Sequence, residues 1–445
     1  MIFEKYKTME KMKVMKKRKA KKKMKEKKKM KIIKPKISLF KICKFIFLLY
    51  LFYLLILFKV KFNKSIKPKN VLPVPVPLPK PRPRPIFSSP SKRPVSFSSR
   101  SVRDLLNCNI ENNTVLIFEP ALYHHECTPG FTKYFLDLGY NVDIILDGFG
   151  RNTFCFFNSL ENVRLFTFYG LSQFSDHSSE FQLIFKNYSY IVIETSDGSK
   201  KPTFENLGFY KMNNTIFVVH QHEYINSTGI VNLSSQNRVW SLGNLKDTLY
   251  VNPHYFGDFK IRSKNNRTRF FITSTIGRYY NDLVLAAQKI KNESLDFEVI
   301  VIGKVGTFND QLLSENLKEN FKFKYRVVFR DLYEAVNSSD YIIINLYPNY
   351  TNNDDFRSTR LTGASQLSFG FLKPALIHKD FAEFYNMSSE NSFLYDNYSF
   401  YDAMREAILL NEQGYKQKQE NLSKLSETLY NISLDNVIKT LNSIY

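Results

Sequence analysis

The residues of this sequence with most chemistry to offer lie in groups far apart along the chain. Glu119 and the run His124-His125-Glu126 follow one apolar stretch, and His220, His222 and Glu223 follow another. An imidazole and a carboxylate two residues apart suit proton abstraction from a hydroxyl. His124 and Glu126 point the same way if their loop is extended. Contact with a substrate, or a satisfied structural histidine, are the other readings. A metal site would need His124 or His125 to converge with His220 or His222, and no HExxH-type spacing supports one.

A further group is Thr362-Gly363-Ala364-Ser365, preceded by Arg357 and Arg360, with Arg278 well upstream. Small residues at a helix start leave backbone N–H groups free to meet phosphate oxygens. A guanidinium after a strand end can hold a diphosphate in fork geometry. An ordinary helix cap, a surface arginine and solvated loop residues compete with these roles. Neither a G-x-S-x-G elbow nor a Walker A loop is present, which removes the simplest hydrolase and NTPase readings.

The elements that must position these groups follow from hydrophobic pattern. TVLIFEP (114–120) reads as a buried strand, Pro129-Gly130 opens a helix that stops at Gly139, and NVDIIL (141–146) is the next strand, a compact βαβ unit. Strands are expected at 163–168, 190–196, 215–220 and 238–243. A second series has strands at 269–277, 297–303, 325–329, 341–347 and 374–378. Its helices are expected at 281–292, 332–340, around Thr362–Phe369, and over Tyr401–Tyr430. This alternation predicts an α/β chain of two doubly wound, Rossmann-like domains, 105–256 and 257–445, with ligands in the cleft at the carboxyl ends of their strands.

In the second series the order of elements is specific: a strand, then IGR and a helix, then FEVIVIGK, LYEAVNSSDYIIINLY and TGASQLSFGFLKPALIH. This resembles the C-terminal, nucleotide-sugar domain of GT-B glycosyltransferases, most of all glycosyltransferase group 1, also called family 4. It covers about residues 270–400, and 114–146 more loosely. The resemblance implies that Arg278, Thr362, Gly363, Ala364 and Ser365 hold donor phosphates, and that His124, Glu126 or His220 orients or deprotonates an acceptor. It also implies no cofactor beyond the nucleotide sugar, and no obligatory metal, because the Asp-x-Asp triplet of GT-A enzymes is absent. Two positions depart from the family pattern. No lysine follows Arg278, and its paired glutamates are replaced, with Ser358 or Thr359 near the first and Gln366 or Leu367 near the second.

Composition addresses location. The chain of 445 residues has a formal charge of +23, but Met1–Lys36 carries 18 Lys/Arg against three acids, while residues 104–445 hold 32 basic and 38 acidic residues. A slightly acidic globular part gives nucleic-acid binding no electrostatic support. Ile37 to Phe58, interrupted only by Lys41 and Lys44 and uncharged from Phe45 to Phe58, would span about 33 Å as a helix, enough for a bilayer core of about 30 Å. The positive-inside rule then keeps the basic tail (1–36) in the cytosol and sends the rest across. A signal anchor at 37–62 is expected, followed by a Pro-rich stem at 63–104. Dense Asn-x-Ser/Thr sequons, from Asn112 to Asn431, fit the lumenal side of the secretory pathway. Cys108, Cys127 and Cys155 permit at most one intramolecular disulfide.

The expectation is therefore a single-pass type II membrane protein of the Golgi or endoplasmic reticulum. It would transfer a sugar from a nucleotide donor to a glycan or glycoprotein hydroxyl. The alternative is a catalytically inactive GT-B-like lumenal protein that binds glycans or acts as a scaffold.

Overall fold

A computed structural model describes residues 99–121, 123–157, 159–274, 280–303, 313–348, 350 and 353–444. The expected signal anchor and most of the Pro-rich stem lie outside these residues. Among the described residues no helix is long and apolar enough to cross a membrane.

Two parallel sheets carry the fold. The first contains β1 (Arg100–Ser101), β2 (Thr114–Phe118), β3 (Asn141–Asp147), β4 (Val163–Phe168), β5 (Tyr190–Ile193), β6 (Thr215–Val219), β7 (Val239–Ser241) and β8 (Leu249–Tyr250). Their spatial order is β1-β4-β3-β2-β5-β6-β7-β8. Unbroken, largely apolar runs make β2, β5 and β6 because both faces are covered: every residue of the three is buried. The sheet starts inside the segment expected to be stem. Arg100 and Ser101 pair with Phe166 and Thr167, and Val102 is fully buried. Helix α1 (Thr128–Asp137) closes the first βαβ unit, and Gly139 ends it at φ +83°, where a side chain would be strained.

The second sheet runs β11-β10-β9-β12-β13-β14. Its strands are β9 (Thr268–Ser274), β10 (Phe297–Gly303), β11 (Phe321–Tyr325), β12 (Tyr341–Ile344), β13 (Ala375–His378) and β14 (Ser392–Tyr395). Strand order reverses between β9 and β12 here, and between β2 and β5 in the first sheet, the doubly wound pattern. One expected strand is displaced. The sheet edge is FKFKY (321–325), whose lysines alternate outward, whereas Phe329 already opens helix α3 (Phe329–Ser338), which follows α2 (Asn281–Asn292). Alternation wins over apolar content because an edge strand covers only one face.

Helix α4 (Gly363–Phe371) lies between β12 and β13. The single charged helix expected over 401–430 is two, α5 (Phe400–Leu409) and α6 (Glu412–Ile444). At 33 residues, α6 reaches cores of both sheets. Its early turns put Tyr415 and Leu422 into cores of the second sheet, while Val437 and Leu441 enter the core beneath the first. The Trp240 indole N–H donates to Thr440 Oγ1 at 2.7 Å, and Tyr190 donates to the Leu441 carbonyl at 3.4 Å. The described residues fall in one compact unit.

Candidate active site

The strand-order reversal in the first sheet places β2 beside β5, and crevices open at such points. Each strand is followed by one glutamate. Phe118 pairs with Ile193, which sets Glu119 beside Glu194, and both acids are fully buried. Glu119 Oε1 accepts the Ala121 N–H and Oε2 accepts the Thr195 hydroxyl, each at 2.6 Å. Glu194 Oε2 accepts the Thr128 hydroxyl at 2.6 Å, and its Oε1 has no hydrogen-bond partner among the described residues. Burial raises both carboxyls well above the ordinary range, and the Glu194 charge pushes Glu119 further.

Strand β6 delivers His220 to the same crevice. Its Nε2 lies 3.0 Å from the Glu194 carbonyl oxygen and 3.4 Å from Thr195 Oγ1. A carbonyl can only accept, so the ring proton sits on Nε2 and Nδ1 is the basic nitrogen. Burial lowers its pKa well below the ordinary value, and the His124 and Arg360 charges act in the same direction. His220 is therefore a neutral imidazole at pH 7.

His124 stacks on His220, with ring centroids 3.9 Å apart and planes at 28°. The expected extended loop is not what brings His124 and Glu126 together. His124 is left-handed (φ 79°, ψ 7°), and His125–Cys127 form a 3-10 turn. Such a conformation costs a non-glycine residue about 1–3 kcal/mol and persists only where neighbours fix it. The bend leaves His124 Nδ1 3.6 Å from Glu126 Oε1. Burial pushes Glu126 up, but the neighbouring His124 ring outweighs it and holds the carboxyl below its ordinary pKa. His125 turns the other way, into the first lobe, 3.2 Å from Asp147.

Glu126 reaches the second lobe. A Cβ added at Gly363 would lie 3.4 Å from Glu126 Oε1, so the carboxylate approaches the first turn of α4, where the helix dipole favours an anion. Of the four small residues, Thr362 and Gly363 are partly accessible, whereas Ala364 and Ser365 are buried. The Ser365 hydroxyl and N–H both bond the Thr362 carbonyl, at 2.7 and 3.1 Å. Its N–H is thus already engaged.

The lobes also meet through the backbone. Gln221 and Arg360 form an antiparallel bridge, and His222 N–H donates to the Thr359 carbonyl at 3.3 Å. With the Gln221 amide oriented to suit its neighbours, its oxygen accepts from Arg360 Nε at 2.9 Å. Arg360 also covers the Phe356 ring at 4.9 Å. Arg357 pairs with Asp380 at 3.4 Å and lies over Phe381. Arg278 lies outside the described residues. Cys108, Cys127 and Cys155 are free.

The structure thus gathers His124, Glu126, His220 and the Thr362–Gly363 turn where the two lobes meet. Glu194, Thr195 and Thr128 join them without having been anticipated. The signal for Glu194 was present, since a lone acid ends the apolar run YIVIE as it does in TVLIFE. Thr195 carried no comparable signal. Gln366, near one position of the absent glutamates, is buried 3.9 Å from Cys127, and its Nε2 has no hydrogen-bond partner among the described residues.

No protein-family model matches the chain, and none of the curated proteins does. Among solved structures, a glycosyltransferase from Rickettsia africae ESF-5 is 15% identical, with a TM-score of 0.47, over 75% of this chain and 99% of that one. An alpha-glucosyltransferase in complex with UDP is 11% identical (TM-score 0.47, 71% and 95%). The ADP-heptose heptosyltransferase II of E. coli is 9% identical (TM-score 0.39, 71% and 99%). These likenesses are of fold alone.

Proposed function

We propose that the chain is a glycosyltransferase that moves a sugar from a nucleotide donor to a hydroxyl of a glycan or glycoprotein. One observation carries this reading: the His124, Glu126 and His220 group on the first lobe abuts a helix N-terminus on the second, through Glu126 and Gly363. In this reading the acceptor hydroxyl enters beside His124 and His220, and His220 Nδ1 takes its proton. Glu126 orients His124. The donor diphosphate lies against the Thr362–Gly363 turn, with Arg278 balancing the charge that develops on the leaving group. The basic tail and apolar segment 37–62 anchor the enzyme as a type II protein of the Golgi or endoplasmic reticulum, with the sequon-rich part in the lumen.

The test is a thermal-shift screen of the full-length protein in detergent with UDP-, GDP-, CMP- and dTDP-sugars, followed by an assay for nucleotide release. A donor at 100-fold its dissociation constant stabilises by about 2.7 kcal/mol. One donor should raise the melt, and Arg278→Ala should abolish the shift. No shift and no release from folded protein would overturn transfer and favour the non-catalytic alternative. Protease protection of the C-terminal part in sealed microsomes tests the orientation; digestion without added detergent would refute it.

A further inference from the structure

We propose that Glu119 and Thr195 are positioning residues that act through His220, forming a relay in which the proton leaving the acceptor comes to rest on Glu119. The inference rests on His220 being the base of the proposed transfer.

The contacts form a chain in which the His220 Nε2–H is shared between Thr195 Oγ1 and the nearer Glu194 carbonyl oxygen at 3.0 Å. Thr195 Oγ1 donates to Glu119 Oε2 at 2.6 Å and lies 3.4 Å from His220 Nε2. Glu119 and Thr195 are fully buried and His220 is 7% exposed. Among the described residues nothing bonds His220 Nδ1, which is the open end of the chain.

The charges around it favour one resting place for the proton. An imidazolium at His220 would face His124 and Arg360 in a buried site, so that ring passes a proton on more readily than it keeps one. A carboxylate at Glu119 faces Glu194 and Glu126, so proton uptake there removes an unfavourable charge. Thr195 connects the poor reservoir to the good one, and its hydroxyl can donate and accept at once.

The step balances. The acceptor O–H proton goes to Nδ1 of His220, the Nε2 proton goes to Thr195 Oγ1, and the Thr195 proton goes to Glu119 Oε2. Glu119 ends as a neutral acid and His220 as the opposite neutral tautomer. The negative charge has moved to the acceptor oxygen, which attacks the sugar. A histidine acting alone would instead leave a buried cation beside Arg360.

The experiment uses full-length protein labelled with 15N at its seven histidines, with His220 assigned by the signals missing in His220→Gln. At pH 7 and above His220 should remain the neutral Nε2–H tautomer. Its Nε2 shift should respond to the ionisation of Glu119, a response that disappears in Glu119→Gln and Thr195→Val and returns in Thr195→Ser. A wild-type Nε2 shift unaffected by Glu119→Gln, an imidazolium at pH 7 or above, or a response unchanged in Thr195→Val would overturn the relay. Should Thr195→Val not fold, Glu119→Gln, which keeps the shape of the side chain, decides the question. These readings need no donor, so their failure is distinct from failure of the transfer assay. With a donor and acceptor in hand, Thr195→Val should lower kcat about 10- to 100-fold at constant KM, a range within that of acid–base assistance. Thr195→Ser should restore it.

Discussion

Trp240 and Thr440, two hundred residues apart, share a hydrogen bond of 2.7 Å in a fully buried setting. The bond ties the end of α6 to the core of the first sheet, where Trp240 stacks near Phe131 and Phe135. Trp240→Ala should therefore cost about 3–5 kcal/mol, the usual range for truncating a buried aromatic. Thr440→Val strands the indole N–H and should cost about 1–3 kcal/mol. Denaturant melts of both variants check this, and equal losses would contradict it.

Gly370, in α4, has no room for a side chain. An added Cβ would collide with the His254 carbonyl oxygen and the Phe256 ring, on the segment joining the lobes. Gly370→Ala should destabilise by about 1–3 kcal/mol, as overpacking does, despite the better helix propensity of alanine. A raised melting temperature would refute the close approach. Gly363→Ala, whose Cβ meets only ordinary contact with Glu126, should melt close to the wild type.

Removing a ring or carboxylate from the crevice should affect turnover more than folding. His220→Ala is expected to lower kcat about 10²- to 10⁴-fold, the span of general-base assistance. Glu126→Gln should act more weakly, because it leaves the His220 ring in place. A His220→Ala protein with wild-type transfer would exclude that residue as the base.

The pair Glu119–Glu194 makes stability depend on pH in an identifiable direction. Both carboxyls are raised by burial, so the folded state holds protons that the unfolded chain releases above about pH 4.5. Their contribution is complete below that pH and is lost as pH rises towards the folded pKa. Glu119→Gln removes part of this loss. The stability difference between pH 5 and pH 8 should therefore be smaller in Glu119→Gln than in the wild type. An equal or larger difference in urea denaturation would contradict the assignment.

Much of the fold was legible because parallel strands covered on both faces are unbroken apolar runs. Thr114–Phe118, Phe297–Gly303 and Tyr341–Ile344 stand out for that reason. The edge strand Phe321–Tyr325 was misplaced because two of its five residues are lysines facing water. His124, Glu126 and His220 were visible as residue types at strand ends, but the left-handed turn that unites them depends on surrounding packing. Thr195 was invisible for a different reason. A threonine after a strand is common, and its importance comes from two neighbours that only the sheet order supplies.

The long helix α6 also sets a timetable. Val437 and Leu441 belong to the same core as Val115 and Trp240, so the first lobe cannot bury its own floor until the far end of α6 is made. During synthesis the nascent first lobe presents an apolar face with no partner until residues 437–441 have emerged. Slow closure of so distant a contact is the expected consequence of loop entropy. Chains stalled before residue 437 should show protease-sensitive first lobes, and chains extended past residue 441 should show protected ones.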